Sequence, residues 1–143
     1  GVQALEDSAL QMLGRLHSME EARAALDIAQ REFERVSFDL IYGRPKQTPT
    51  QWERELTRAL SFGTEHMSLY QLTIEPGTRF ATEHARGAFA LPADDDAARM
   101  YEATAEEAAR FGLRPYEVSN YAVPGAESRH NLAYWRYGDY LGI

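Results

Sequence analysis

Short apolar runs alternate with stretches of helical periodicity along this chain of 143 residues. The runs at 36–41, 67–74 and 116–122 predict strands, because apolar, β-branched and aromatic residues over four to eight positions are typical of strands. Residues 1–3 are interpreted as the end of a further strand. The resulting order of strand, helix, strand, helix predicts right-handed βαβ units and a parallel sheet.

Two capping boxes mark where helices begin. Ser18 and Thr48 each stand three residues before a Glu or Gln, so the side chains can satisfy free N–H groups of a first turn. Pro49 suits the first helical position, where its missing N–H is not needed. The acidic run 94–96 is interpreted as a solvated helix start and not as a metal site. Helices are predicted over 7–13, 18–34, 48–63, 78–86 and 94–111.

The length of the chain bounds its architecture. A closed eight-stranded barrel typically needs about 250 residues, so 143 residues supply roughly half of one. The chain begins at Gly1 and ends on the apolar stretch 140–143, and we therefore expect a piece of a longer protein. No internal repeat or low-complexity linker is evident, and no domain boundary is expected before about Gly112.

Charge argues against one class of partner, and composition excludes some chemistries. The formal net charge is −7 and no basic stripe with interleaved aromatics occurs, which argues against nucleic acid as a partner. No apolar run has the length of a membrane span and no signal peptide is visible, so the expected compartment is the cytoplasm; peripheral membrane contact stays open. The chain has no cysteine, which excludes a disulfide or a cysteine-held iron–sulfur cluster within it.

Polar residues stand at the predicted strand ends. Gln3, Asp39 and Thr73 share one rim of the sheet if their strands are parallel neighbours, and Arg15 follows the first strand at loop distance. A guanidinium can hold a carboxylate bidentately and an aspartate can accept from sugar hydroxyls, which suits a small polar ligand. Two structural alternatives stay open: Asp39 hydrogen-bonds the next turn, or Arg15 and Asp39 pair with each other.

A second constellation lies near the end of the chain. His130 and Tyr134 are four residues apart and share a face in a helix. A neutral imidazole flanked by aromatic rings can ligate a haem iron. The alternative is a histidine packed in an aromatic core. The other three histidines share no metal-ligand spacing with it.

Several segments together resemble a known family. They are the segments 1–3, 14–15, 38–48 (FDLIYGRPKQT), 68–78 (SLYQLTIEPGT), 116–122 (YEVSNYA) and 130–142 (HNLAYWRYGDYLG). In this order they resemble the middle of a radical S-adenosylmethionine protein of the oxygen-independent coproporphyrinogen III oxidase-like family. The His-Asn-x-x-Tyr motif at 130–134 is similar to that of the haem chaperone branch. Ser128 departs from many relatives, which have cysteine there.

The resemblance implies a fold and a set of binding residues. The fold is a fragment of a partial (β/α)₆ TIM-like barrel of the α/β class with parallel strands, in which 1–112 is the C-terminal part of the barrel. Residues 113–143 would form the end of the barrel and the start of a C-terminal haem-associated region. S-adenosylmethionine contacts fall on Gln3, Arg15, Asp39 and Thr73. Haem contacts fall on His130, Asn131 and Tyr134, with His130 as the candidate iron ligand.

The resemblance also implies a function. The parent would be a haem chaperone that binds haem or a porphyrin and passes haem to receiving proteins. The alternative is an oxygen-independent coproporphyrinogen III oxidase that performs radical oxidative decarboxylation. The [4Fe–4S] cluster would belong to the full-length parent only, so this chain alone is expected to be inert. A truncated half-barrel that exposes strand edges and associates non-specifically is the remaining expectation.

Overall fold

A computed structural model describes residues 1–141 and shows an α/β fold. The strands are β1 (Ser37–Tyr42), β2 (His66–Gln71), β3 (Arg114–Pro115) and β4 (Asn120–Ala122). The helices are α1 (Asp7–Met12), α2 (Met19–Glu32), α3 (Pro49–Leu60), α4 (Arg79–Ala85), α5 (Asp94–Arg110) and α6 (Arg129–Trp135). The last two residues of the predicted region 113–143, and the final glycine of the segment 130–142, lie outside the described residues.

The predicted parallel pairing is confirmed for the first two full strands. Strands β1 and β2 run parallel in a register from Ser37 opposite His66 to Tyr42 opposite Gln71, and α3 forms the crossover between them. On the other side of β1, Gln3 pairs with Leu40 in a single parallel bridge. The predicted strand end at 1–3 therefore consists of one paired residue.

The last predicted strand differs from expectation. Residues 114–122 form a hairpin whose second strand, β4, runs antiparallel to β2, so the sheet has the order β1-β2-β4-β3. The turn between β3 and β4 is closed by Glu117, whose carboxylate accepts hydrogen bonds from the Ser119 N–H (2.9 Å) and the Asn120 amide. Side chains that bond their neighbouring backbone compete with a continuous strand, which explains the break.

Both predicted capping boxes are present. Ser18 accepts from the N–H of Glu21 while the Glu21 carboxylate accepts from the N–H of Ser18, and Thr48 and Gln51 make the same reciprocal pair. The strand predicted over 67–74 is shorter than expected and ends at Gln71, although the N–H of Leu72 still donates to the Tyr42 carbonyl at 2.8 Å.

Alternate residues of β1 and β2 face two different environments. One side, called here the core face, consists of Phe38, Leu40, Tyr42, Met67 and Leu69, all buried in the hydrophobic core with residues of α3 and α5.

A buried tryptophan anchors α3 and α5 on the core face. The Trp52 ring stacks on Tyr42 with ring centroids 4.9 Å apart, and its N–H donates to Thr104 at 2.8 Å.

The other side, called here the polar face, carries Ser37, Asp39, His66, Ser68 and Tyr70. Its side chains bond to the chain start and to the hairpin. The polar face therefore carries side chains that can take part in binding or chemistry.

Candidate functional site

Three of the predicted ligand residues come together at the start of the chain, in what we call the Asp39 cluster: Gln3, Arg15 and Asp39, with the backbone of Gly1 and Val2. The Asp39 carboxylate accepts hydrogen bonds from the Val2 N–H (3.1 Å) and from the Gln3 side-chain amide. The Arg15 guanidinium donates to the other end of the Gln3 amide at 3.4 Å. Arg15 thus reaches Asp39 through Gln3. The Asp39 carboxylate bonds the chain start and not the next turn, and its link to Arg15 is indirect, so neither structural alternative is correct.

Backbone geometry aims Gln3 at Asp39. Gln3 has a φ of 70°, in the left-handed region that side chains other than glycine rarely adopt. Its N–H donates to the Asp39 carbonyl and its carbonyl accepts from the Ile41 N–H, both at 2.8 Å. A regular strand residue at this position would share its side of the sheet with Leu40, whereas the Gln3 side chain bonds Asp39 and is itself buried.

A buried ion pair holds the chain start in place. Arg44 and Glu55 form a two-pronged pair, with Nη1 and Oε1 3.1 Å apart, and both side chains are more than nine-tenths buried. The Glu55 carboxylate also accepts from the Leu5 N–H at 2.8 Å and from Gln47 at 3.1 Å. The glycine–proline turn after β1 and the residues after Gln3 are therefore tied to the same helix.

The Asp39 cluster suits a small ligand that carries both a positive and a negative charge. A Cβ on Gly1 would collide with the Gln3 amide and the Asp39 carboxylate, so the backbone passes close to both groups. The half-buried Asp39 carboxylate offers acceptor positions, and the exposed Arg15 guanidinium offers donors beside it. An amino-acid carboxylate and a pair of ribose hydroxyls would find complementary partners in this arrangement.

Thr73 lies apart from the Asp39 cluster. Asp39 stands opposite Ser68 in the sheet register, and Thr73 follows Ser68 by five residues, beyond the last residue of β2. Its exposed hydroxyl donates to the Glu75 carboxylate at 3.1 Å.

The predicted haem residues lie on α6. His130 and Tyr134 are exposed and their rings meet edge to face, with centroids 4.9 Å apart and planes 73° apart. The Tyr134 ring also packs against Tyr140, with ring centroids 4.7 Å apart. His130 is therefore not packed in an aromatic core, which was the structural alternative.

Asn131 points to a different partner. Its side-chain N–H donates to the hydroxyl of Tyr116 at 3.0 Å, and its backbone N–H donates to the N-cap residue Ser128 at 3.4 Å. The structure thus brings His130 and Tyr134 together, while the Asn131 amide bonds the hairpin.

Sequence reasoning passed over His66. This buried histidine contacts Ser37 through Nδ1 (2.6 Å) and the Tyr116 hydroxyl through Nε2 (2.7 Å). Burial lowers the pKa of His66, and the positive charge of Arg35 lowers it further, while Glu117 acts in the opposite direction. The alternation of polar and apolar residues over 66–70 was the available signal, because it places His66 and Ser68 on one face.

A cavity of about 380 Å³ opens between the polar face and α6. Its lining combines two cations and one carboxylate with neutral hydrogen-bonding groups: Arg35, Arg129, Glu65, Ser37, His66, Asn120 and Asn131. The cavity therefore joins the sheet to the helix that carries His130.

The described residues do not provide a site for an iron–sulfur cluster. The chain has no cysteine, and within 1–141 no three residues among His, Asp and Glu come together as metal ligands. Within the same range, no helix is both long enough and apolar enough to cross a bilayer.

Comparisons with known proteins identify relatives over the whole chain. Models of protein families do not match it. The chain is 45% identical over 144 residues to "Radical S-adenosyl methionine domain-containing protein 1, mitochondrial" from Bos taurus and covers 33% of that protein. It is 38% identical to "Heme chaperone HemW" from Bacillus subtilis and covers 38% of it. The whole chain is aligned in both cases.

A solved structure shares the fold. Coproporphyrinogen III oxidase (HemN) from Escherichia coli, described as a radical SAM enzyme, matches 94% of the chain with a TM-score of 0.73 at 24% identity. The match covers 30% of that protein, and the chain spans about a third of the length of the curated relatives it matches. These findings confirm both the predicted fold class and the resemblance drawn from the sequence.

Proposed function

Because this chain is homologous over its whole length to radical S-adenosylmethionine domain proteins and haem chaperones, we propose that it contributes the haem-binding helix and an S-adenosylmethionine-orienting site to a haem chaperone. The observation that carries the proposal is the exposed His130–Tyr134 pair, in a chain aligned from end to end with proteins named heme chaperones.

Haem would bind through His130. An exposed neutral imidazole can ligate iron, and the edge-to-face contact with Tyr134 restricts the orientation of the ring. Exposed apolar side chains follow on the same stretch and offer surface for a porphyrin: Trp135, Tyr137, Tyr140 and Leu141. A contiguous exposed apolar surface of this kind is typical of a binding site.

The Asp39 cluster would hold S-adenosylmethionine. Asp39 accepts hydrogen bonds from hydroxyls, Arg15 binds the methionine carboxylate, and Gln3 keeps the two in register. When bound beside a reduced iron–sulfur cluster, S-adenosylmethionine supplies radical chemistry. The residues of this chain bind and orient it, and the cysteines that hold the cluster would lie elsewhere in the intact protein.

Thr73 remains a proposed contact at a different point of the ligand. It lies beyond the end of β2, so it would reach a part of the ligand remote from Asp39.

The remaining assignments concern the whole protein. Haem or a porphyrin would be the ligand, with haem-receiving proteins as partners, and the cytoplasm the compartment. Since several relatives are named as mitochondrial, imaging of a tagged protein is the direct test of compartment. We propose a division of the chain at 112–113, where α5 gives way to the hairpin, with the end of the barrel and the start of the haem-associated region after it, and limited proteolysis would test it.

A haem titration of the intact protein, followed by Soret absorbance, tests the function. We expect saturable binding that His130→Ala abolishes. His84→Ala is a matched control, because His84 also lies on an exposed seven-residue helix and contacts an aromatic ring, that of Phe89, at 5.6 Å. The control is expected to bind haem as the parent does.

Two results would contradict the proposal. Haem binding by His130→Ala at parental affinity would remove His130 from the site. Turnover of coproporphyrinogen III by the cluster-loaded intact protein would favour the oxidase instead. The shared fold is the observation that supports this alternative.

A further inference from the structure

A continuous chain of hydrogen bonds links the sheet to α6. It runs from the Ser37 hydroxyl to His66 Nδ1 (2.6 Å), from His66 Nε2 to the Tyr116 hydroxyl (2.7 Å), and from Tyr116 to the Asn131 amide (3.0 Å). The N–H of Ser128, which caps α6, also approaches the Tyr116 oxygen at 3.4 Å. Tyr116 therefore stands at the junction of β1, β2 and the helix that carries His130.

Counting donors gives the direction of these bonds. The Tyr116 oxygen accepts from the N–H groups of Asn131 and Ser128, which occupy its two acceptor positions. Its own O–H is then left to donate to His66 Nε2. His66 is accordingly neutral, carries its proton on Nδ1, and donates that proton to the Ser37 hydroxyl.

Within residues 1–141, helix α6 has few other attachments. It has seven residues and none of them is buried, and a helix this short is not stable by itself. Among the described hydrogen bonds, the Asn131 amide is the α6 side chain that reaches another element. The segment before the helix is tied down separately, by Arg35 donating to the Ala126 and Glu127 carbonyls at 2.6 and 3.3 Å.

We infer that the Tyr116 hydroxyl, oriented by His66, is the positioning group for His130: it holds α6 at one angle to the sheet and so presents the imidazole to haem. The inference rests on the proposed haem role of His130. It also gives Asn131 a different task from the one expected of it, since an amide that bonds Tyr116 acts on haem through the helix and not by contact.

Two variants in the intact protein test this from both ends of one bond. Tyr116→Phe removes the hydroxyl and Asn131→Ala removes the amide. Each is expected to weaken haem binding about five- to tenfold and to accelerate amide hydrogen exchange over 129–135 by a similar factor, as expected for one lost hydrogen bond. The double variant should be no worse than Tyr116→Phe alone, because the bond between the hydroxyl and the Asn131 amide is already missing there.

Two features separate positioning from general stability. In Asn131→Ala, which leaves the bond between Tyr116 and His66 intact, exchange elsewhere in the sheet should be unchanged. In both variants the Soret spectrum at saturating haem should match that of the parent, since His130 is still present. Tyr70→Phe is the matched control: Tyr70 lines the same cavity, and its hydroxyl should be dispensable for both readouts.

The outcomes are distinct. Unchanged exchange over 129–135 in Tyr116→Phe overturns the inference, as does faster exchange there without weaker haem binding. Faster exchange across the whole sheet in Asn131→Ala overturns it as well. Exchange is measured without haem, so it reports on Tyr116 independently of the proposed function. Parental haem binding by His130→Ala would instead overturn the proposed function, and the haem part of the inference with it.

Discussion

The two faces of β1 and β2 are built from alternate residues and serve different ends. On the core face, Leu40 and Met67 are fully buried among apolar side chains of the helices. On the polar face, Asp39 and His66 bond to the chain start and to the hairpin. Because side chains alternate between faces, a substitution on the core face can change folding stability and preserve ligand binding. A substitution on the polar face can do the reverse.

The largest expected effect is on the core face. Leu40→Ala should lower the free energy of unfolding by about 2–5 kcal/mol, because a fully buried leucine leaves a cavity. Ile41→Ala is the control on the polar face, where Ile41 stands opposite Tyr70 and is half-buried, and it should cost less than half as much. Urea denaturation of the intact protein measures both, and equal losses would show that the two faces do not differ in packing.

A binding effect with little loss of stability is expected on the polar face. Asp39→Asn should weaken S-adenosylmethionine binding about tenfold or more, because hydrogen bonds to an ionised acceptor are the stronger ones. The free energy of unfolding should fall by no more than about 1–2 kcal/mol, since Asn still accepts from the Val2 N–H. Calorimetric titration measures the affinity.

Asp96→Asn provides the reference for the preceding substitution, as its carboxylate lies on the exposed first turn of α5. Ligand affinity equal to the parent in Asp39→Asn would remove the Asp39 cluster from the binding site.

The smallest expected effect is the pH dependence of folding stability that His66 causes. The pKa of His66 is lowered by burial and by Arg35, with Glu117 opposing, so the folded protein binds this proton less readily than the unfolded chain. The stabilising contribution of neutral His66 is therefore complete above about pH 6.5 and is lost as the pH falls through that value towards the lower folded pKa.

Urea midpoints measured between pH 5 and pH 8 test this contribution. They should rise with pH in the parent and rise less steeply in His66→Gln. Identical pH profiles for the two would show that His66 does not contribute.

Local signals in the sequence predicted local structure well. The capping boxes at Ser18 and Thr48 involve residues three apart, so their prediction did not depend on the rest of the fold. The parallel pairing of β1 and β2 followed from the strand–helix–strand order. The exposed position of His130 was one of two readings that periodicity left open.

Non-local features could not be predicted in the same way. The antiparallel course of β4 depends on the turn that Glu117 closes and on pairing with a strand about fifty residues earlier. Gln3 joins Asp39 through an unusual backbone angle, which propensity does not signal. Thr73 illustrates the reverse: strand order suggested a shared rim, but the register with Ser68 separates it from Asp39.

The short strand β3 determines how the sheet can grow. The Tyr116 N–H donates to the Asn120 carbonyl, so the nitrogen of the preceding Pro115 faces away from β4, at the outer edge. A proline nitrogen has no proton to offer, and β3 has only two residues, which blunts this edge against added strands. Sheet extension by a further strand, whether from the same polypeptide or from another molecule, is thereby directed to the β1 side.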